Sequence, residues 1–552
     1  MDLSLIINLN ADSNVPLHRQ IYTQIRRAIL TGQVRSHTRL PASRQLAKAL
    51  SISRTTVTQS YDQLISEGYL QTRQGAGTFV CAHIPETLLN ADRNLIQGTN
   101  QHALTPSHST KQPTESANLS QKPTLSTYGL HLHSTPERIF SQDCELSFRY
   151  GIPDLNLFPI QQWRRLLSRH QLANTKWMGY SQDPMGYGPL RSQIAQYISQ
   201  VRAVRCTPEQ ILITHGAQQS LGIITRLLVN PGETIVFENP GYLSGRRILE
   251  ANGARLIPVT VDQEGLVIEG SDGLKNRAPA DTRLAYVTPS HQFPTGVLMS
   301  LSRRLTLLQW AQETNTYIIE DDYDSEFRYS GRPIPALQGL DTSERVIYIG
   351  TFSKILFPGL QIGYVVVPSN LIRLFRQAKW LCDRQCSLLN QAALADFIQT
   401  SELAKHVRRM RPIYAQRRQT LIDGLHAITE HMEHPVEVLG DQAGLHIMAR
   451  LPGKNQHSVK GRGIEKRGGK KRGVEQEGDE TELIKQAQAQ GISLFSAGPH
   501  YWSETEHGQS SQLSAQERRA SASGEFIFGF GGLDKQAIEE AIARLRPLIK
   551  NL

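Results

Sequence analysis

GTFSKILFPGLQIGY, residues 350–364, sets Lys354 between a Thr/Ser turn that follows a short apolar run and a segment rich in Pro and Gly. A lysine that forms a Schiff base needs neighbours that draw electrons into a ring and fix a phosphate. Outward from Lys354, such neighbours can be found. TYIIEDDYD (316–324) reads as a strand ending in carboxylates. An Asp buried there can pair with a protonated pyridine nitrogen, and a Tyr two positions on shares its face and can reach a ring oxygen. THGAQQSLGIITRLL (214–228) puts Gly216, Ala217 and Gln218 at a strand-to-helix turn, where a helix N-terminus presents amides to a phosphate. ENPGYLSGRR (238–247) offers Tyr242, an aromatic face to stack on a pyridine.

Similar apolar runs (QILITHG, ETIVFENP, RLAYVTPS, RVIYIG) alternate with helix-length segments from about Glu145 to Gly453. That alternation predicts an α/β domain, with a parallel or mixed sheet. Residues 454–480 are Gly-rich and charged, basic first and acidic afterwards, and residues 503–524 are rich in Ser, Glu and Gln. Both read as disordered insertions in a small C-terminal domain, which resumes at TELIKQAQAQGISLF and EFIFGFGGL. Upstream, residues 82–142 carry Ser, Thr, Gln, Asn, His and Pro without a sustained apolar period, as a flexible linker does.

The N-terminal segment, residues 12–81, has a different pattern. PLHRQIYTQIRRAILTG (16–32) puts Leu17, Ile21, Ile25, Ala28 and Ile29 on one helical face, ended by Gly32. ASRQLAKAL, a tight SIS turn and RTTVTQSYDQLISEG follow, two helices joined by a short turn. YLQTRQGAGTFV alternates around Gly75 and Gly77 as a β-hairpin wing would. Between Val15 and Val80 stand nine Lys/Arg against Asp62 and Glu67. DNA phosphates call for that excess, because each cation on the backbone releases counterions. Arg54, Thr55 and Thr56 open the second helix of the pair, the end that enters a major groove.

LPASRQLAKALSISRTTVTQSYDQLISEGYLQTRQGAGTFV (40–80) resembles the GntR family of bacterial regulators almost end to end. The resemblance implies DNA contacts by Arg44, Arg54, Thr55 and Thr56, with Arg73 and Gly75 in the wing near the minor groove. The lysine-centred motifs, with FRYGIPDLNLFPIQQWRRLL (148–167) and YSQDPMGYGPLRSQIAQYI (180–198), resemble fold-type I PLP enzymes, the class I aminotransferases. The combination is most similar to MocR/GabR-type regulators: a winged helix-turn-helix, a linker and an aminotransferase-like domain from 143 to 552. It implies pyridoxal 5'-phosphate (PLP) as cofactor. Lys354 would bond it covalently, Asp321 would meet the pyridine nitrogen, Tyr323 the phenolic oxygen, and Tyr242 would stack. Ala217, Gln218, Thr351 and Ser353 would hold the phosphate. Asp321 is preferred to Asp322 on the family's Asp-x-Tyr spacing alone.

Three positions depart from the pattern. The phosphate-clamping Arg seven residues after the lysine is Gln361, which donates a hydrogen bond but brings no charge. The Arg that grips a substrate carboxylate in the aminotransferases is Ile527. The Asn of the enzymes' Asn-Pro-Thr-Gly turn is Phe293, as among the regulators. These changes favour a sensor, a DNA-binding regulator that responds to PLP or to its adduct with an amine or amino acid. They count against an active aminotransferase with an accessory DNA module. A third reading, a cofactor-free regulator using the fold as a dimer scaffold, draws on Gln361. The expected assembly is a head-to-tail homodimer.

The whole chain agrees. Its 552 residues carry 60 basic and 50 acidic side chains, a formal net charge of +10 that suits an anionic partner. MDLSLIINLN lacks the marks of a signal peptide, and no run approaches the ~18 apolar residues of a membrane span. Cys81, Cys144, Cys206, Cys382 and Cys386 are scattered and odd in number, so a reduced cytoplasmic protein without a metal site is expected.

Overall fold

The computed structural model describes residues 7–10, 13, 15–73, 76–82, 125–134, 144–173, 175, 179–181, 183–330, 335–432, 435–452, 472–502 and 524–550. They fall into two compact units, Met1–Gln121 and Lys122–Leu552.

In the first unit, helix α1 (Leu17–Leu30) buries Ile21, Ile25, Ala28 and Ile29, the face that its periodicity marked. Helix α2 (Ser43–Ala49) buries Leu46 and Ala47. Helix α3 (Arg54–Ser66) starts on Ser53, whose hydroxyl accepts from the Thr56 amide at 3.3 Å and satisfies one orphan donor of the first turn. Strands β1 (Leu70–Arg73) and β2 (Gly77–Val80) then pair antiparallel, with Leu70 opposite Val80 and Arg73 opposite Gly77. One apolar core, including Ile21, Ile25, Leu46, Val57, Leu64 and Val80, joins helices and hairpin. This is a winged helix-turn-helix. Of the predicted wing residues, Gly75 lies outside the described residues.

Inside the segment read as a flexible linker, the second unit opens with helix α4 (Thr127–Ser134), and this corrects that reading. The Ser126 hydroxyl caps it by accepting from the Gly129 amide at 3.2 Å. Two turns are too short for apolar periodicity to register, and the helix over Leu243–Ala251 supplies the packing partner. The rest of 82–142 lies outside the described residues, Ala82, Leu125 and Ser126 apart.

A short strand β3 (Leu146–Ser147) and helices α5 (Ile160–Ala173) and α6 (Gly188–Arg202) precede the main sheet. Its eight strands are β4 (Ile211–Thr214), β5 (Thr234–Asn239), β6 (Arg255–Asp262), β7 (Gly265–Leu266), β8 (Thr282–Val287), β9 (Tyr317–Asp322), β10 (Val346–Thr351) and β11 (Gly363–Val366). Their order is β4-β11-β10-β9-β8-β5-β6-β7. Strands β6, β5, β8, β9 and β10 run parallel, while β11 is antiparallel to both neighbours. Strands β4 and β10 are buried at every residue. Such continuous apolar runs suit a sheet covered on both faces by helices. Helices α7 (Ala217–Leu228), α8 (Leu243–Ala251), α9 (Leu301–Glu313), α10 (Ile372–Cys382) and α11 (Leu388–Gln399) belong to these layers. Because β4, β9 and β10 run the same way, their carboxyl ends bring Thr214, Asp321 and Thr351 to one edge, where α/β sheets bind ligands.

A smaller antiparallel sheet, β12 (Glu437–Leu439), β13 (His446–Arg450) and β15 (Glu525–Gly529), completes the unit, and β14 (Ile492–Ser493) pairs with β3. It accompanies helices α12 (Glu402–Thr429), α13 (Arg472–Ala489) and α14 (Lys535–Lys550). Helix α13 begins inside the stretch 454–480 expected to be disordered. The helix that buries Leu483 and Ala487 in the core extends back that far, which corrects the boundary. Residues 453–471 and 503–523 lie outside the described residues.

Candidate functional site

A cavity of ≈ 580 Å³ opens at the carboxyl edge of the main sheet. Its lining includes every residue expected at the cofactor: Lys354, Asp321, Tyr323, Tyr242, Ala217, Gln218, Thr351 and Ser353.

Parallel pairing of β9 with β10 places Asp321 beside Ile349, two residues before Thr351. The strand's alternation then separates the two adjacent carboxylates. Asp322 turns into the core, where Arg202 Nε and the Tyr348 hydroxyl both donate to its Oδ2 at 2.7 Å. Asp321 turns to the cavity and accepts from the Tyr286 hydroxyl at 2.8 Å through Oδ2, leaving its buried Oδ1 without a partner among the described residues. Burial pushes the Asp321 carboxyl up to about 7. Lys354 Nζ donates to the Gly151 carbonyl at 2.8 Å, and burial holds its ammonium below the usual lysine range. Gly151 is at φ +72, and a Cβ there would stand 2.8 Å from Lys354 Nζ.

Tyr323 is the second of the lining residues expected at the cofactor ring. Its hydroxyl donates to the His291 carbonyl at 2.8 Å and stands 3.0 Å from His291 Nδ1. That nitrogen is 2.9 Å from Asp324 Oδ1, and Asp324 Oδ2 accepts from the Leu445 amide at 3.0 Å. Tyr323 is therefore held by an Asp–His clasp built from the segments that follow β8 and β9. Position 293 sits among five rings: the centroids of Tyr150, Tyr242, Tyr323, His446 and His500 lie between 5.0 and 6.1 Å from Phe293.

Gly216, at φ +113, stands two residues after β4 as the N-cap of α7, and no side chain caps that helix. Its first amides, at Ala217 and Gln218, border the cavity together with the Thr351 and Ser353 side chains. A helix N-terminus with hydroxyls around it attracts a phosphate through aligned N–H dipoles. Gln361 also borders the cavity, and its Nε2 donates to the Pro358 carbonyl at 3.1 Å. The cation closest in sequence to this helix start is His215. Its Nε2 lies 3.3 Å from Asp383 Oδ2, and that carboxylate raises the imidazole to about 10. Lys379 also reaches Asp383, at 2.8 Å, and lies 3.3 Å from Cys386 Sγ. Arg246, five residues into the segment after Gly241, donates to the Tyr501 carbonyl at 3.3 Å and lies 5.1 Å from the Trp502 ring centre.

The donor set fits a phosphorylated pyridine aldehyde. A cation against the orphaned Asp321 Oδ1 would relieve the burial that now disfavours its charge, and an imine at Lys354 would relieve the burial of its ammonium. Sequence reading missed Tyr286, His291, Asp324, Gly151 and His215. Tyr286 had a signal, since its place in β8 opposite Ile319 puts it on the Asp321 face of the sheet. Gly151, His215 and Asp324 stand inside the quoted motifs, but their partners Lys354, Asp383 and His291 are far along the chain, and His291 lies in the loop after β8.

In the reader, Arg44, Arg54, Thr55 and Arg73 are exposed, and Thr56 is half-buried with its hydroxyl 3.3 Å from that of Ser53. Arg54 Nε donates to Ser43 Oγ at 3.4 Å, and the Arg73 guanidinium lies 5.0 Å from the centre of the Phe79 ring. Gly77, at φ +110, allows the Arg39 side chain close approach: a Cβ would stand 3.0 Å from its Nε.

Comparison with known proteins matches residues 17–80 to the gntR family of bacterial regulatory proteins, and residues 149–497 to aminotransferase class I and II. The probable rhizopine catabolism regulatory protein MocR of Rhizobium meliloti is 35% identical, over 98% of this chain and 94% of its own. The pyridoxine biosynthesis transcriptional regulator PdxR of Corynebacterium glutamicum is 28% identical over 99% of both chains. Among solved structures, kynurenine aminotransferase of Pyrococcus horikoshii, in complex with PMP, superposes with a TM-score of 0.61 at 26% identity. That match covers 79% of this chain and 96% of the enzyme. With both modules matched in order and nearly the whole length shared with MocR, this chain belongs to the MocR-type transcriptional regulators, a GntR-type winged helix-turn-helix followed by an aminotransferase class I and II domain.

Proposed function

We propose that the aminotransferase-like unit is a PLP-loaded amine sensor whose ligand state sets how the winged helix-turn-helix engages operator DNA. The observation that carries this reading is the pairing, in one cavity, of an unpartnered buried Asp321 Oδ1 with a buried Lys354 amine. Bound there, PLP supplies an electron sink for an amine attached to it. Lys354 holds the cofactor covalently, and its lowered pKa keeps more of its Nζ unprotonated and nucleophilic. Asp321 Oδ1 would meet the pyridine nitrogen and hold a proton there. The Asp324–His291 clasp fixes the Tyr323 hydroxyl, which would meet the phenolic oxygen, and Tyr242 would stack on one ring face. The Ala217 and Gln218 amides, with Thr351 and Ser353, take the phosphate. His215 contributes the positive charge that Gln361 lacks.

Arg44, Arg54, Thr55 and Thr56 meet the major groove, and Arg73 with Gly75 the flanking minor groove. Two readers in a cytoplasmic head-to-tail homodimer read paired half-sites, and an amine that favours one dimer arrangement shifts the population between them. The test is an absorbance spectrum of the purified protein with PLP, beside a gel shift on DNA flanking its gene. Lys354→Ala is expected to lose the visible cofactor band and keep DNA binding. A spectrum unaffected by Lys354→Ala, or no band in the parent protein, overturns the sensor reading. Steady turnover of an amino donor would favour the enzyme reading instead.

A further inference from the structure

Phe293 is the hub of the cavity wall. Around it stand the rings of Tyr150, Tyr242, Tyr323, His446 and His500, and Phe495 follows at 5.8 Å from Tyr150. Packed in the same cluster are Ile527, Met448 and Ala497, all fully buried. Strand pairing sets Ile527 opposite Met448, and the Ile527 amide donates to the Phe495 carbonyl at 2.8 Å, so this support is rigid. The imidazole in the wall brings no charge, because burial holds His446 well below the usual histidine range and its Nε2 lies 3.2 Å from the Pro294 carbonyl. His500 stands with Nδ1 3.1 Å from the Gly241 carbonyl and Nε2 3.3 Å from the Tyr150 hydroxyl. Among the described lining residues one guanidinium occurs, that of Arg149, and it lies 5.6 Å from the Phe495 ring centre.

We infer that the effector is a primary amine whose body is uncharged and carries no carboxylate next to the amino group, with an apolar or aromatic portion against the Phe293 wall. This deepens the sensor reading and rests on it. A carboxylate pressed against this wall loses its water and finds aromatic edges and the neutral His446 imidazole in exchange, and an uncompensated buried charge is strongly disfavoured. An aromatic or aliphatic body gains burial and ring contacts in the same place. The amine itself needs no counter-charge from the wall, since it goes to the Lys354 end of the cavity, where the cofactor would be held.

The experiment is calorimetric titration of the full-length PLP-loaded protein with phenethylamine and with L-phenylalanine, which share ring and amine and differ by the carboxylate. Phenethylamine is expected to bind, and L-phenylalanine about a hundredfold more weakly. Equal or tighter binding of L-phenylalanine, or binding of neither, overturns the inference. Arg149→Ala adds a second arm: an unchanged preference supports the wall as its source. Loss of L-phenylalanine binding in that variant would identify Arg149 as a carboxylate partner and overturn the inference. A protein that retains no PLP after dialysis overturns the sensor reading and this inference together. Retained PLP with no amine preference overturns the inference alone.

Discussion

Tyr286→Phe removes one hydroxyl and little else. The ring stacks on Phe237 at 4.7 Å with an interplanar angle of 8°, and phenylalanine keeps that contact, so the fold is retained. What is lost is the 2.8 Å bond to Asp321 Oδ2, the described side-chain partner of a carboxylate whose Oδ1 has none. A hydrogen bond to a charged group is worth about 1.5–3 kcal/mol, so the variant should bind PLP roughly 10- to 150-fold more weakly. The assay is an absorbance titration of the apoprotein with PLP, backed by thermal melts of both proteins without cofactor. The same change carries a pH signature. The Asp321 carboxyl rises from 3.8 unfolded to about 7 folded. The protonated folded form is thus favoured, and the apoprotein's stability from this group is complete below about pH 4 and lost as pH rises through 7. Removing the Tyr286 donor, which favours the charged form, moves that loss to higher pH. An unchanged PLP affinity together with an unchanged melt profile would refute Asp321 as the group that meets the cofactor.

Asp322→Asn should do the opposite: it strips the buried Arg202 of its charge partner, and differential scanning calorimetry should register a loss on the order of 3–5 kcal/mol, while Asp321→Asn melts near the parent and fails to hold PLP. Asp383→Asn should release His215, whose imidazole falls from about 10 toward the ordinary range, and weaken PLP binding at pH 8 more than at pH 6. The stability that His215 contributes is full below about pH 6.5 and lost as pH rises through about 10, so melts of the parent between pH 8 and 10.5 should show a decline that this variant lacks. Arg54→Ala, exposed at the start of α3, should leave the melting temperature unchanged and cost about 1–3 kcal/mol of operator affinity in a gel shift, with a shallower salt dependence.

Both modules were legible along the chain because each is marked by local chemistry. A helix-turn-helix shows as apolar residues at helical spacing on either side of a short turn, and the cofactor motifs sit at strand ends that apolar runs announce. Lys354, Asp321, Tyr323, Tyr242, Ala217, Gln218, Thr351 and Ser353 come from separate elements, yet each motif could be recognised by itself and all meet in one cavity. Less was legible where a short element depends on a distant partner. Helix α4 hid in a polar stretch because one cap and an external surface stabilise it. The reach of α13 into a charged segment depends on Leu483 and Ala487 being anchored in the core.

What the sequence determined by itself was the kind of molecule: a DNA reader with excess positive charge, fused to a lysine-centred α/β domain lacking Arg at positions 361 and 527. Only the tertiary structure decided between the neighbouring carboxylates, because β9 turns Asp321 to the cavity and Asp322 to Arg202, and that choice depends on what lies on each face of the sheet. It also set what surrounds the positions that lack Arg. His215 keeps its proton because the Asp383 carboxylate, 168 residues away, stabilises it, and Ile527 gains its meaning from Phe293 and Met448. Electrostatics and burial act through space, and side chains far apart in sequence set them.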